Sequence, residues 1–134
     1  MASAANPNGR VVLVVDDEPA IVRAITWALA RAGFRATVAE NGEAGLQTFL
    51  ADPNAIDLVL ADAIMPMMHG ITMVHQIRQV RPDIPVLFMS AYPEKFVNTT
   101  YRAKFPMIQK PFLMEDLIRA VTEVIGLRAR ESSA

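Results

Sequence analysis

The sequence predicts an open, doubly wound α/β fold in which five parallel strands form one sheet between two layers of helices. Two observations support this prediction. Short apolar runs alternate along the chain with segments of helical periodicity, five times each. The first run, VVLVV at residues 11–15, is continuous and β-branched, which is typical of a strand buried on both faces. Parallel strands need crossover connections of this kind, and right-handed crossovers place helices on both faces.

The first half of the chain supplies two strand–helix units. Pro19 starts the first predicted helix, because proline fits the first turn, and Gly33 ends it at about residue 32. An apolar residue recurs every three to four positions in this segment, so one face of the helix can be buried. Residues 36–39 then form a brief second strand, and residues 42–50 form the second helix.

The second half supplies three more units. Their strands are short apolar runs, and their helices carry apolar residues at helical spacing. The predicted strands cover residues 56–61, 85–89 and 107–109, and the predicted helices cover residues 70–80, 94–104 and 114–126. The helix at 94–104 is the weakest of the five, because Asn98, Thr99 and Thr100 have poor helical propensity.

Composition limits the possible functions. With 134 residues, 52% hydrophobic and 20% charged, the chain predicts one domain with a core, at 11–127, between disordered tails at 1–10 and 128–134. Without cysteine it forms no disulfide, zinc ribbon or iron–sulfur cluster. A net charge of −1 argues against nucleic-acid binding by bulk charge. No apolar run approaches the ~20 residues of a membrane span, and the N-terminus does not resemble a signal peptide. We therefore expect a soluble, cytoplasmic protein, monomeric or weakly dimeric, that binds neither nucleic acid nor membrane.

Polar residues that can carry chemistry follow the predicted strands. In sheets of this kind, ligands bind outside the carboxyl ends of the strands. The residues at these ends are Asp16, Asp17, Glu18, Asp62, Ser90 and Lys110. Clustered carboxylates repel each other, and a hard divalent cation such as Mg²⁺ removes that cost. A lysine ammonium and a serine hydroxyl can each hold a phosphate oxygen. The set predicts phosphoryl transfer onto a carboxylate, giving an aspartyl phosphate.

Four motifs, in this order and at fitting separations, resemble the receiver domain of response regulators, which accepts a phosphoryl group from a histidine kinase. They are VVLVVDDEP at residues 11–19, DLVLADAIMPMMHG at 57–70, MSAY at 89–92 and QKPF at 109–112. The resemblance covers about residues 11–126 and is to a chemotaxis-like, single-domain receiver. It implies the flavodoxin-like strand order 2-1-3-4-5 with five helices on two faces.

The resemblance implies roles for the acidic residues. Asp62 would be the phosphoacceptor, and Mg²⁺ would bind Asp17 and Asp62 directly and Asp16 mainly through water. The backbone carbonyl of Ile64 would complete the metal site. Many relatives carry a polar residue at position 64 that helps the attacking water. Because isoleucine cannot bind that water, we expect slow self-dephosphorylation.

The resemblance also implies how phosphorylation is read out. Ser90 would turn toward the phosphoryl group, and Lys110 would pair with it. Ser90 could instead only bond to backbone at the strand end. Relatives usually carry Tyr or Phe three residues before the lysine, where this chain has Met107, which offers no hydroxyl and no ring. Tyr92 or Phe105 is a candidate to substitute for that aromatic residue.

The implied partners are a sensor histidine kinase or histidine phosphotransfer protein and a downstream protein target. In the family, the first helix docks kinase or phosphotransfer helices. Trp27 lies on a stripe of that helix beside the apolar face, and interfaces favour tryptophan. Trp27 is therefore a candidate partner anchor. The alternative is a partly buried residue at the edge of the helix interface.

The leading function is a receiver that catalyses only its own phosphorylation and slow dephosphorylation, and is otherwise not an enzyme. We expect no DNA-binding or enzymatic output domain, and a free-standing chain rather than a piece of a hybrid kinase. The alternative is a small Mg²⁺-dependent phosphohydrolase with an aspartyl-phosphate intermediate. Such enzymes carry a second aspartate where this chain has Ile64. A flavodoxin-like electron carrier or nucleotide-binding module is disfavoured, because acids after the first strand would repel phosphate.

Overall fold

The computed structural model describes residues 9–65, 67–91 and 105–133, with side chains up to residue 126, and contains five strands and four α-helices in these ranges. The strands are β1 (Val11–Val15), β2 (Arg35–Ala39), β3 (Leu58–Asp62), β4 (Val86–Ser90) and β5 (Met107–Gln109). The helices in these ranges are α1 (Pro19–Arg31), α2 (Gly42–Ala51), α3 (Gly70–Val80) and α4 (Met114–Ser133). All neighbouring strands are parallel, in the order β2-β1-β3-β4-β5. This confirms the predicted doubly wound fold.

Two hydrophobic layers cover the two faces of the sheet. Leu13 and Val15 of β1 belong to the layer under α2 and α3. Val12 and Val14 belong to the layer under α1 and α4. Because both faces are covered, β1 is apolar along its whole length, as the continuous run at residues 11–15 predicts, and β3 and β4 are apolar up to their last residue. None of the helices in the described ranges is long and apolar enough to cross a bilayer.

The strand bounds differ from prediction by one or two residues. β3 begins at Leu58 rather than at residue 56, because the Asp57 carboxylate instead accepts a hydrogen bond from the Val11 N–H at 2.7 Å. β3 and β4 each end one residue later than predicted and include Asp62 and Ser90. The backbone of both polar residues is therefore fixed by the sheet.

The predicted end of the last helix at Gly126 is wrong. α4 continues to Ser133, so the backbone of residues 128–133 is helical where a disordered tail was expected. A single glycine costs a helix about 1 kcal/mol, and the Leu, Arg, Ala and Glu residues that follow it favour helix. At the other end, residues 1–8 of the predicted tail lie outside the described residues, and so does the helix predicted at 94–104.

Candidate functional site

The carboxyl ends of β1 and β3 bring three aspartates together. Asp16 and Asp17 follow β1, and Asp62 ends β3, its neighbour in the sheet. One carboxylate oxygen from each residue lies within 4.8 Å of the other two. Asp16 and Asp62 are buried, whereas Asp17 is exposed. Hard oxygen donors with one side open to water are what Mg²⁺ prefers, so these residues fit the predicted metal.

Lys110 enters this cluster from the end of β5. Its Nζ lies 2.8 Å from Asp16 Oδ2, 3.0 Å from Asp62 Oδ2 and 3.2 Å from Glu18 Oε1. The Lys110 side chain is only 10% exposed, and its pairs with Asp16 and Asp62 are shielded from solvent, whereas Glu18 is 58% exposed. The predicted phosphoacceptor and lysine are therefore in direct contact.

The charges in the cluster shift the pKa values of Asp62 and Lys110. Burial raises the pKa of the Asp62 carboxyl above its ordinary 3.8, and the hydrogen bond from Lys110 only partly offsets this. Burial acts to lower the pKa of Lys110, but its bonds to Asp16 and Asp62 outweigh burial and raise it above 10.5. Lys110 is thus charged at neutral pH, but its positive charge does not fully offset the cost of burying the ionised Asp62 carboxylate. A second cation would relieve that cost.

The loop after Asp62 returns to it at Gly70, the first residue of α3. A Cβ at Gly70 would lie 2.1 Å from the Asp62 carbonyl oxygen, so glycine is required for this approach. The Ile64 N–H donates to Asp62 Oδ1 at 3.1 Å and orients the carboxylate. Exposed His69 accepts the Met65 N–H on its Nδ1 at 3.1 Å, which holds the same loop. The role of the Ile64 carbonyl as a metal ligand stays a prediction.

Ser90 ends β4 beside the lysine. It is buried, and its carbonyl accepts the Lys110 backbone N–H at 2.8 Å. The register pairs Ser90 with Gln109, the residue before the lysine. The sheet therefore places the serine and lysine on adjacent strands at the edge where Asp62 lies. The movement of Ser90 toward a phosphoryl group stays a prediction.

The structure describes two of the three residues considered for the missing switch aromatic, Met107 and Phe105. Met107 is half-buried and pairs in register with Phe88 of β4. Phe105 lies before the amino end of β5, with its ring centroid 5.6 Å from that of Phe88. Four residues lie between Phe105 and Lys110, and the Phe105 ring packs at the other end of β5 from the lysine. The hypothesis that Phe105 substitutes for the switch aromatic stays a prediction. Tyr92 lies outside the described residues.

Trp27 lies on the outer surface of α1. Its side chain is 64% exposed, which is compatible both with a partner anchor and with a partly buried residue at the edge of the helix interface. The Arg31 guanidinium stacks over the indole at 4.8 Å from the ring centroid. This contact orients the ring and leaves it available to a partner.

Sequence reasoning missed two contributors to the site. Glu18 was placed at the end of the first strand without a role, yet it contacts Lys110. Gly70 was taken only as a helix start, yet it sets how closely α3 approaches Asp62. The Glu18 contact depends on how far a lysine side chain reaches across the sheet, for which the sequence holds no signal. For Gly70 the sequence did hold a signal, because Gly70 is the last residue of the motif at 57–70.

The fold and site together define a class of protein. A parallel sheet of order 2-1-3-4-5 with acids after β1 and β3, a hydroxyl at the end of β4 and a lysine after β5 is a receiver fold with its acidic pocket. The chain belongs to the response regulator receiver domain family, which matches it over residues 12–122.

Curated relatives and solved structures agree with this assignment. The chain is 33% identical over 116 residues to the sensor kinase CckA of Brucella abortus, covering 85% of the chain and 12% of CckA. It is 32% identical over 117 residues to the DNA-binding transcriptional regulator NtrC of Azospirillum brasilense, covering 86% of the chain and 24% of NtrC. The chain thus spans a quarter or less of these relatives.

Among solved structures, the crystal structure of the CheX–CheY–BeF3–Mg²⁺ complex of Borrelia burgdorferi contains a similar chain. The TM-score is 0.81 at 26% identity, covering 91% of this chain and 98% of that chain.

Proposed function

We propose that this domain is a cytoplasmic phosphoryl acceptor. Asp62 takes a phosphoryl group from a phosphohistidine of a sensor histidine kinase or histidine phosphotransfer protein, with Mg²⁺, and phosphorylation changes binding to a downstream protein. The observation that carries the proposal is the position of the buried Asp62 carboxylate. It lies 3.0 Å from Lys110 Nζ and clusters with Asp16 and Asp17.

In the transfer, an Asp62 carboxylate oxygen bonds to phosphorus while the N–P bond of the phosphohistidine breaks and the nitrogen keeps the bonding pair. Mg²⁺, when bound, neutralises charge on the phosphoryl oxygens. The Ile64 N–H keeps the Asp62 carboxylate oriented, and the Lys110 ammonium supplies a second positive charge beside it. The protein's part is therefore orientation and charge compensation.

The contacts of Asp16 support the predicted division of the metal ligands. Its Oδ2 accepts from Lys110, and its Oδ1 accepts the Glu18 N–H at 2.9 Å. With both oxygens bonded to protein donors, Asp16 is suited to hold the ion through water. Asp62 and the exposed Asp17 bind the ion directly. The similar chain in the CheX–CheY–BeF3–Mg²⁺ complex supports a magnesium-dependent acceptor.

Three residues are proposed to connect phosphorylation to partners. Ser90 turns toward the phosphoryl group. Met107 fills the space of the usual aromatic residue but offers no hydroxyl and no rigid ring to couple to Ser90. Trp27 anchors the phosphodonor or target, which its exposure supports. The domain turns over no metabolite, and because Ile64 cannot bind the attacking water, the aspartyl phosphate is long-lived.

The test is incubation with acetyl phosphate and Mg²⁺, followed by intact mass spectrometry. We expect wild type to gain one phosphoryl group that hydroxylamine removes, as it does from an acyl phosphate. Asp62→Ala should gain none, whereas Asp83→Ala, which removes a half-exposed acid at the opposite sheet edge, should behave like wild type. A label that persists in Asp62→Ala, or none in wild type, would overturn the proposal.

A further inference from the structure

The ammonium group of Lys110 has all its hydrogen-bond donors in use. It carries three N–H groups and contacts three carboxylates, on Asp16, Asp62 and Glu18, at 2.8, 3.0 and 3.2 Å. A phosphoryl group on Asp62 takes over the donor that Lys110 gave to the Asp62 carboxylate, and it carries about 1.5–2 negative charges on three oxygens. If Lys110 is to donate to a second of these oxygens, a further contact must be given up. The structure indicates which one.

The three partners differ in exposure. The Asp16 side chain is 0% exposed and stays charged, so losing Lys110 would strand a buried charge. The Asp62 side chain is 11% exposed, but its own charge is lost when the O–P bond forms and the phosphoryl group takes its place beside Lys110. The Glu18 side chain is 58% exposed and makes the longest contact, so water can replace Lys110 at little cost. The Glu18 contact is therefore the one that can be exchanged.

The backbone keeps Glu18 close enough to make this exchange reversible. Its N–H donates to Asp16 Oδ1 at 2.9 Å, and Pro19 begins α1 directly after it. The Glu18 side chain itself forms no cap bond to the helix. The backbone of Glu18 is thus fixed, and its side chain contacts Lys110 at this edge of the sheet.

We propose that Glu18 is a positioning residue that occupies the third donor of Lys110 until a phosphoryl group arrives and then releases it. The inference rests on the proposed function, because it concerns the same site. It predicts that Glu18 competes with the phosphoryl group for Lys110. Removing the Glu18 contact should therefore favour the phosphorylated state.

The first measurement is the affinity for beryllofluoride, a phosphoryl mimic, at saturating Mg²⁺. Glu18→Gln should bind the mimic about two- to five-fold more tightly than wild type, the range expected for one largely exposed ion pair. Glu18→Asp keeps the charge but is shorter by one methylene, and it should gain affinity as well. Glu40→Gln is the matched control, because Glu40 is an exposed acid after β2 at the same sheet edge. Glu40 is not among the partners of Lys110 in the described part of the chain.

The second measurement follows Lys110 itself in the metal-free protein. Lys110 is one of three lysines, so its ammonium signal can be assigned in ¹⁵N spectra with a Lys110→Met variant. Glu18→Gln should shift this signal and speed its hydrogen exchange, and Glu40→Gln should not.

The outcomes separate the two proposals. If wild type takes neither acetyl phosphate nor beryllofluoride, the proposed function fails and this inference fails with it. If wild type binds the mimic but Glu18→Gln matches Glu40→Gln, or Glu18→Asp matches wild type, only the charge matters and the positioning role is overturned. An unchanged Lys110 signal in Glu18→Gln also overturns it.

Discussion

The two edges of the sheet hold their charged side chains in different ways. At the carboxyl edge, Lys110 bonds to three carboxylates, so one positive charge is shared among several negative charges. At the amino edge, arginines bond chiefly to neutral backbone carbonyls. Arg81 donates to the carbonyls of Pro53, at 3.0 Å, and Ile56. Arg78 donates to those of Pro82 and Ile84, at 2.8 and 2.6 Å.

The difference separates exchange from fixation. Charges that pair with each other can change partners when a metal ion or phosphoryl group arrives. Arg81 instead bonds from its own loop to two carbonyls of the loop before β3 and so ties the two loops together, while its ion pair with half-exposed Asp83 is longer, at 3.6 Å. The carboxyl edge is therefore suited to chemistry and the amino edge to holding the sheet.

The strongest test of this contrast is Lys110→Met, which keeps the chain length and removes the charge. It leaves buried carboxylates without their cation, and removing one partner of a buried pair typically costs about 3–5 kcal/mol. We expect a loss of that size in the free energy of unfolding, measured by urea denaturation without metal. Saturating Mg²⁺ should restore part of it, because the ion supplies positive charge.

The matched control for Lys110→Met is Arg119→Met, which breaks an exposed pair with Asp116. Exposed pairs contribute about 0–1 kcal/mol, so this variant should be close to wild type. Equal losses in the two variants would show that Lys110 is not part of a shielded charge cluster.

Gly70→Ala tests how the carboxyl edge depends on packing. The added Cβ would lie 2.1 Å from the Asp62 carbonyl oxygen, so α3 or β3 must move. Overpacking of this kind costs about 1–3 kcal/mol, and we expect the upper end because backbone is involved. Phosphorylation by acetyl phosphate should slow as well. Thr72→Ala, at an exposed position of the same helical turn, should change neither quantity.

Arg81→Met tests the amino edge. Removing the guanidinium leaves the carbonyls of Pro53 and Ile56 without this donor, and we expect about 2 kcal/mol of lost stability. Beryllofluoride affinity should stay unchanged, because the site lies at the other edge. A loss of beryllofluoride affinity in Arg81→Met would show that the two edges are coupled.

The same contrast explains what could be predicted from the sequence. Asp16, Asp62, Ser90 and Lys110 were found because strand ends converge at one edge, and the alternation of strands and helices places those ends. Contacts that depend on side-chain reach were not found. Hydrophobic periodicity carries no information on whether Lys110 bends toward Glu18.

Two expectations at the amino edge and the chain end rested on weaker evidence. Phe105 was proposed as a switch from its nearness in sequence, yet its ring packs on Phe88 before the amino end of β5. The last helix passes Gly126 because local propensity outweighs one glycine. Nearness in sequence and single punctuating residues are weaker evidence than strand ends.

The smallest expected effect concerns whether the charge of Asp62 raises or lowers the stability of the fold. Because burial raises the Asp62 pKa above 3.8, the native state binds more protons than the unfolded state between the two values. Ionised Asp62 therefore lowers stability above its native pKa, and this penalty disappears as the pH falls below 3.8. Asp62→Asn in metal-free buffer should be more stable than wild type at neutral pH, with a difference that shrinks in acid. Mg²⁺ should reverse the order at neutral pH, because it stabilises wild type more. If the stability of Asp62→Asn relative to wild type instead increased as the pH falls, Lys110 would compensate the charge of Asp62 fully. The carboxyl edge would then be as fixed as the amino edge.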